Sequence, residues 1–197
     1  MAARGSGDAT RRSVLAAAAE IVVRDGAAKL TLDAVAERCG LSKGGILHHF
    51  STKDSLISAM IEDVVGGFEA DLQRNMQGES GPGSFARAFL RACLDREGIV
   101  TRTIKVSAGI IAAVAINTQL LAPLRTRYGE WSARLEHDGI DPAIAELVRS
   151  AADGLWLGNV LELGSTSAAL RKRMFAKLIE LTQLGSAPLQ APETTTA

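Results

Sequence analysis

The sequence predicts an all-helical protein with a small N-terminal head of three helices and a larger helical body, about nine helices in all. Only 4% of the 197 residues are aromatic, and alanine is abundant, which favours helix over sheet. Apolar residues recur at helical spacing, and no segment shows the sustained alternation of a strand. The length is sufficient for one head and one core-forming body.

The head is predicted at residues 10–52, after a mobile start at residues 1–9. Its first helix is expected at residues 10–24. The following segment, TLDAVAERCGLSKGGILHHF, predicts two short helices joined by a tight turn. Thr31 and Ser42 are the expected N-caps, and Gly40 is suited to the left-handed conformation that ends a helix. This spacing is that of a helix-turn-helix, whose second helix enters the major groove of DNA.

The body is predicted at residues 53–185 and is followed by a disordered tail at residues 186–197. Ser51 and Asp54 have capping-box spacing at the start of a helix that runs to about residue 77. Asp141 and Pro142 predict another helix start, with an N-cap followed by proline. Glycine, asparagine and aspartate residues between the helical segments mark their ends. Together these signals predict helices at residues 84–95, 100–116, 118–137, 142–163 and 166–184.

Charge is distributed unevenly along the chain, although 22 basic and 22 acidic residues balance overall. Through Lys53 there are eight Lys and Arg against five Asp and Glu, and the remainder has fourteen against seventeen. A basic head and an acidic body fit nucleic-acid contact at one end. The sequence has neither a signal-peptide core nor a charge-free apolar segment long enough to span a membrane, so we expect a cytoplasmic protein without a membrane partner.

Residues in and around the predicted helix-turn-helix match the pattern of one known family: Thr31, Val35, Ala36, Gly40, Leu41, Ser42, Gly44, Ile46, His49, Phe50, Thr52, Lys53, Asp54 and Leu56. Over residues 10–60 the chain therefore resembles the TetR family of bacterial transcriptional repressors. The resemblance implies a homodimeric DNA-binding regulator of an inverted-repeat operator, released from it by a small, largely apolar effector. The family usually has a tyrosine near the end of the recognition helix, where this chain has Leu47 and His48.

The residues expected to contact DNA lie on or beside the second helix of the pair. Lys43 is the expected base reader, with guanine O6 and N7 as its acceptors. Gly44 and Gly45 each cost about 1 kcal/mol relative to alanine inside a helix, and close approach to DNA is the reason that we infer for them. Helix N-termini favour positioning contacts with phosphates. The candidates are Thr31, Ser42, Lys43, Gly44, Gly45, His48, His49 and Lys53.

The histidine pair does not predict a metal site. Adjacent residues on a helix point about 100° apart, and no acidic or cysteine partner follows His48 and His49 at ligand spacing. We expect His49 to pack beside Phe50 and His48 to face a phosphate.

The family resemblance implies an effector site in the body, but the sequence of the body leaves two interpretations open. Residues 103–116 are apolar and small, which either lets helices approach closely or leaves a cavity. Large apolar groups and a polar side chain could line such a cavity, although ordinary core packing is the alternative for each. The candidates are Phe68, Phe89, Arg102, Ile104, Ile111, Asn117, Trp131 and Trp156.

The last two predicted helices carry apolar stripes that could meet a second copy of the chain. In the family such helices form a four-helix bundle between two protomers, and the alternative is that both stripes close the core of one protomer. The candidate interface residues are Leu147, Ala151, Leu155, Leu170, Met174, Leu178 and Leu181.

Enzymatic activity is not expected, because no nucleophile with a base, carboxylate pair or metal cluster occurs at a meaningful spacing. We expect no cofactor either. The loop GESGPG lacks the lysine of a phosphate-binding loop, and the two cysteines predict buried thiols rather than a disulfide. A helical adaptor whose head binds protein remains the alternative to DNA binding.

Overall fold

The computed structural model describes residues 2–94, 100–115, 117–164 and 166–183, and it describes side chains at 7–93, 105–115, 117–164 and 166–183. These residues form nine α-helices, two short 3-10 turns and no strand, as predicted. They divide into two compact units, one within residues 1–67 and 97–127 and the other within 68–96 and 128–197. The helices are α1 (Ala2–Asp25), α2 (Leu32–Cys39), α3 (Lys43–His49), α4 (Lys53–Met76), α5 (Ser84–Leu94), α6 (Val100–Val114), α7 (Ala122–Glu136), α8 (Pro142–Val160) and α9 (Ala168–Gln183).

The first unit contains the helix pair predicted from the sequence. Helix α2 packs on both α1 and α3, and apolar side chains at one face of each helix are removed from water. This burial is the main favourable contribution to folding of so small a unit. Its fully or almost fully buried residues include Val14, Ala18, Ile21, Leu30, Val35, Ile46, Phe50 and Leu56.

Helix α6 belongs to this first unit, where it packs on α1 and on the 3-10 turn Ala27–Lys29. The small residues of α6 allow this close approach, because a Cβ atom built on Gly109 would overlap the Cγ1 atom of Val22. Beyond the helix, Asn117 caps the 3-10 turn Thr118–Leu121 and donates a 3.0 Å hydrogen bond to the Asp54 carboxylate at the start of α4. At Gly109, therefore, the small-residue segment serves close packing.

In the second unit α5 packs against α8 and α9, and α8 packs on α9. The rings of Phe68, Phe89 and Trp131 stack edge to face, with centroids 5.0–5.7 Å apart. Tyr128 stands beside this cluster, 5.1 Å from the Trp131 ring. Such edge-to-face pairs add to the energy that the burial of aromatic surface already provides.

Asp138 joins two distant parts of the second unit. Its carboxylate accepts hydrogen bonds from the backbone N–H groups of Phe85 (2.9 Å) and Ala86 (2.8 Å), and its carbonyl accepts one from Gly83 N–H (2.7 Å). The residue therefore caps the N-terminus of α5 from 52–53 positions away in the sequence. A local pattern in the sequence could not predict this cap, because Asp138 and the residues that it caps are far apart in the chain.

Several predicted helix boundaries differ from the observed ones. Helix α1 begins at Ala2 rather than at residue 10, and the segment 118–137 divides into a 3-10 turn and α7. The capping box at Ser51 and Asp54 was wrong, because Thr52 and Ser55 exchange the reciprocal side-chain to backbone bonds (3.0 and 3.2 Å) instead. Serine at the third helical position replaces the acidic residue there. The predicted tail at residues 186–197 lies outside the described residues.

Replacement of Asp138 by alanine is expected to lower the free energy of unfolding by about 1–2 kcal/mol, because two N–H groups at the start of α5 lose their acceptor. Urea denaturation checks this. The control is Asp63→Ala at an exposed position of α4, with an expected change within about 0.5 kcal/mol. Equal stabilities of the two variants would contradict the capping role.

Candidate nucleic-acid interface

The turn between α2 and α3 is built by three local signals, all of which the sequence predicted. The Thr31 hydroxyl caps α2 by accepting a 3.1 Å bond from Ala34 N–H. Gly40 has a left-handed backbone, with φ 67°, and Leu41 N–H bonds back to the Ala36 carbonyl at 2.9 Å. Ser42 then caps α3 through a 3.1 Å bond from Gly45 N–H. Both caps and the left-handed glycine are confirmed.

Helix α3 is anchored on one side and open to solvent on the other. Ile46 is completely buried, and Phe50 follows the helix with only 3% of its surface exposed. On the opposite side, the exposed residues are Lys43, Gly44, Leu47 and His48. We call these four residues the α3 face. At about 100° per residue they cover one continuous side of the helix, with Gly44 and Leu47 at its centre.

Lys43 is held at the edge of this face by an ion pair that is easily exchanged. Its Nζ lies 3.2 Å from an Asp33 carboxylate oxygen on α2, and both side chains are more than 70% exposed. Exposed ion pairs contribute only about 0–1 kcal/mol. Lys43 can therefore leave Asp33 for a stronger set of acceptors at small cost.

The two glycines of α3 occupy different environments. A Cβ atom on Gly44 would meet nothing nearer than the Ser42 hydroxyl at 3.9 Å, whereas one on Gly45 would lie 3.4 Å from that hydroxyl and 3.8 Å from Leu41 Cβ. Gly44 is exposed and Gly45 half-buried. Packing within the protomer therefore does not require glycine at position 44. A side chain at this position would project into solvent, where it could only obstruct a molecule that binds to the α3 face.

The two histidines separate across the helix. His48 is exposed on the α3 face, while His49 is half-buried and packs edge to face against the His48 ring at 5.4 Å between centroids. His49, which the sequence predicted among the DNA contacts, is therefore not on the α3 face. No group of metal-ligating side chains occurs within the described residues.

The start of α4 adds a second positive position beside the helix pair. Lys53 is the first residue of α4, is exposed, and follows the Thr52 cap. The N–H groups of a first helical turn and a lysine side chain there both favour a phosphate.

Arg11 on α1 contacts two residues of the first unit. Its guanidinium carbon lies 5.4 Å from the Phe50 ring centroid, and its Nη2 atom lies 3.6 Å from Oε2 of Glu62 on α4. The ion pair with Glu62 joins α1 to α4.

The predicted effector residues do not all come together. Phe68, Phe89 and Trp131 form one aromatic cluster in the second unit, where Trp156 is half-buried. Ile111 and Asn117 belong to the first unit, and the Asn117 side chain is engaged by Asp54 and Gln119. That engagement replaces the role of polar ligand contact predicted for it. The side chains of Arg102 and Ile104 lie outside the described residues.

A polar group beside the aromatic cluster was missed by the sequence analysis. Tyr128 donates a 3.0 Å hydrogen bond to Asp153, whose other oxygen accepts a 2.5 Å bond from Arg149. Burial and the neighbouring carboxylate raise the pKa of Tyr128, and burial also raises the pKa of Asp153. The signal in the sequence was weak, because these residues lie 25 positions apart and on different helices.

The predicted dimer stripe is exposed only in part. Leu147 and Leu170 are 53% and 46% exposed, whereas Ala151, Leu155, Met174 and Leu181 are half-buried. Leu178 is 8% exposed and packs in the core of the second unit, which agrees at this position with the alternative that the stripe closes the core of one protomer. Three leucines outside the predicted stripe, at the end of α8 and in the loop after it, are exposed by 40–75%: Leu157, Leu161 and Leu163.

Comparison with known proteins gives two family matches. Residues 14–60 match the model described as bacterial regulatory proteins, tetR family, and this range covers the second half of α1, α2, α3 and the start of α4. Residues 83–183 match the model described as tetracyclin repressor-like, C-terminal domain. The second match alone covers more than half of the chain.

Individual relatives agree with these matches. The chain is 30% identical over 90 residues to the HTH-type transcriptional regulator BetI 1 of Chromohalobacter salexigens, and the match spans 45% of each chain. It is similar in fold to a transcriptional regulator from Rhodococcus sp. Rha1, with TM-score 0.69, 24% identity and coverage of 90% and 98%. The multidrug binding protein EbrR, solved as a complex with ethidium, gives TM-score 0.64, 21% identity and coverage of 86% and 97%.

The variant Gly44→Ala tests whether glycine is needed at this position for close approach to DNA or is only tolerated in the helix. The added methyl is expected to raise the free energy of unfolding by up to about 1 kcal/mol, because alanine favours the helix. If the open side of Gly44 faces a duplex, the same methyl meets the groove wall, and we expect affinity for duplex DNA to fall at least tenfold, or about 1.4 kcal/mol. Thermal melting and gel shifts on one preparation measure both quantities.

The matched control is Gly66→Ala, at an exposed glycine within α4 where a Cβ atom would meet nothing within 4 Å. That variant should gain stability without loss of DNA affinity. Unchanged affinity in Gly44→Ala would show that position 44 does not touch the duplex.

Proposed function

The chain belongs to the TetR family of DNA-binding, non-enzymatic transcriptional regulators, and from this premise we propose that it is a homodimeric repressor which a small effector releases from an inverted-repeat operator. The observation that carries the proposal is the α3 face. A helix anchored by Ile46 and Phe50 presents Lys43, Gly44, Leu47 and His48 to solvent, as a recognition helix must. Among the helices that the structure describes, none combines the length and the apolar character that a membrane span requires.

DNA contacts divide into base reading and positioning. Lys43 is the base reader in this proposal, since its ion pair with Asp33 is exposed and weak. Thr31, Lys53 and His48 contact phosphates, where they fix the register of the protein on the duplex. Ser42 caps α3 and contributes through that helix start, and Gly45 supports the same cap with its N–H. His49 orients the neighbouring ring rather than touching DNA.

The proposed dimer uses the apolar surface of the second unit. Leu147 and Leu157 on α8, Leu161 and Leu163 after it, and Leu170 on α9 are each at least 40% exposed. A closed two-fold pairing would remove these exposed apolar side chains from water against the same residues of a second copy. A dimer with two-fold symmetry would bind two DNA half-sites arranged as an inverted repeat.

We propose that the effector releases the protein from its operator by shifting the equilibrium from a DNA-binding to a released conformation. EbrR is described in complex with ethidium and with imidazole. For this chain the effector site that we propose is the aromatic cluster of Phe68, Phe89 and Trp131, where Phe89 and Trp131 are 1% and 6% exposed and have to move apart to admit a ligand. An effector acts only through a difference in its affinity for the DNA-binding and released conformations. Within the first unit, the contact between Gly109 and Val22 joins α6 to α1. The bond from Asn117 to Asp54 joins the turn after α6 to α4, so a shift of α6 would displace the head helices.

A pool of random duplexes tests the proposal directly. The purified protein should enrich an inverted repeat, bind it as two protomers in light scattering, and lose affinity steeply as salt rises. If selection from the pool enriched no inverted repeat, the proposed operator would be overturned. A single protomer that binds the full site tightly would overturn the dimer.

Lys43 and Lys53 are expected to differ in how their loss affects binding. Lys53→Ala should weaken binding to all sequences and lower the salt slope by about 1, because one phosphate contact is lost. Lys43→Ala should relax preference at one base position by roughly 1–3 kcal/mol. Gel shifts on matched and mismatched duplexes at several salt concentrations measure both. If Lys43→Ala, like Lys53→Ala, lost the same affinity for the matched as for the mismatched duplex, Lys43 would not be a base reader.

A further inference from the structure

Leu47 is an exposed apolar side chain on a face that is otherwise polar or bare. It is 42% exposed, although anchoring of α3 is already provided by Ile46 and Phe50 on the other side of the helix. Its neighbours on the α3 face are Lys43, Gly44 and His48. A large part of the apolar surface of Leu47 therefore stays in contact with water in the protomer.

The position of Leu47 places it at the centre of the α3 face. Around the helix axis it lies about 40° from Lys43 and about 60° from Gly44, with His48 about 40° beyond Gly44. Because Gly44 has no side chain, Leu47 is the one side chain that projects from this centre. Lys43 and His48 stand at the two edges.

The chemistry of the major groove gives such a side chain one apolar partner. Base edges there present hydrogen-bond donors and acceptors, and the C5-methyl group of thymine is the apolar group among them. We infer that Leu47 is a specificity-determining residue which packs on a thymine methyl in each half-site. This inference rests on the proposed function and goes beyond it, because it states a base that the operator must contain.

The spacing along the helix locates that thymine. Lys43 and Leu47 are four residues apart, or about 6 Å along the axis at 1.5 Å per residue. Successive base pairs are about 3.4 Å apart. The thymine therefore lies within about two base pairs of the position whose preference depends on Lys43.

Replacement of thymine by deoxyuridine removes the methyl group and leaves every hydrogen-bonding atom in place. In the operator enriched by the wild-type protein, each thymine is replaced in turn and the dissociation constant measured. One thymine per half-site should show about a fourfold loss of affinity on replacement, as expected for one methyl group removed from water. The other thymines should show no change.

The variant Leu47→Ala completes a double-mutant cycle at that base. Because Leu47 is exposed, the variant should melt like the wild type, and it should bind the thymine and uracil operators equally. Leu47→Met keeps an apolar side chain of similar size and should retain most of the discrimination. Lys53→Ala is the control, because it weakens binding to both operators and leaves their fourfold ratio unchanged.

The possible failures are distinguishable. An enriched operator whose affinity does not depend on any thymine methyl would overturn the inference and leave the proposed function intact. The same would follow if the wild type and Leu47→Ala lost equal affinity on replacement of thymine by uracil, or if the enriched site held no thymine near the base read by Lys43. A pool that enriches nothing would instead overturn the proposed function itself.

Discussion

The structure of the head depends on the anchoring of one helix that could not exist alone. Helix α3 has seven residues, two of them glycine, and isolated helices of this length are not stable in water. Burial of Ile46 and Phe50 and the cap at Ser42 hold it in place. Because these contacts all lie on one side and at one end, the other side is left free to present residues that contribute nothing to folding.

This separation explains residues that would otherwise be unfavourable. Gly44 and Gly45 lower helix stability by about 1 kcal/mol each relative to alanine, and Leu47 leaves apolar surface in water. The Lys43 and Asp33 pair contributes little because both side chains are exposed. With the α3 face proposed as the DNA-reading surface, the protein gives up stability there in return for contact with the duplex, a common relation between stability and function.

The sequence predicted what short-range chemistry determines and failed where distant residues decide. Thr31, Gly40 and Ser42 were assigned correctly because a cap and a left-handed glycine act within three or four residues. The cap of α5 by Asp138 could not be predicted, since acceptor and donors are more than 50 residues apart. Helical periodicity likewise found the apolar stripe of α9 but not that Leu178 is buried in the protomer core. Asn117 was taken for a ligand contact because nothing in the local pattern pointed to Asp54.

The proposed function depends above all on the α3 face reading the major groove of both half-sites. Methylation interference with dimethyl sulfate tests this most directly, because guanine N7 lies in the major groove and adenine N3 in the minor groove. We expect methylation of a guanine N7 at symmetry-related positions in the two half-sites to exclude a duplex from the bound fraction. We also expect Lys43→Ala to remove this interference. Interference confined to adenine N3, with guanine N7 methylation tolerated throughout the operator, would contradict a major-groove role for the α3 face.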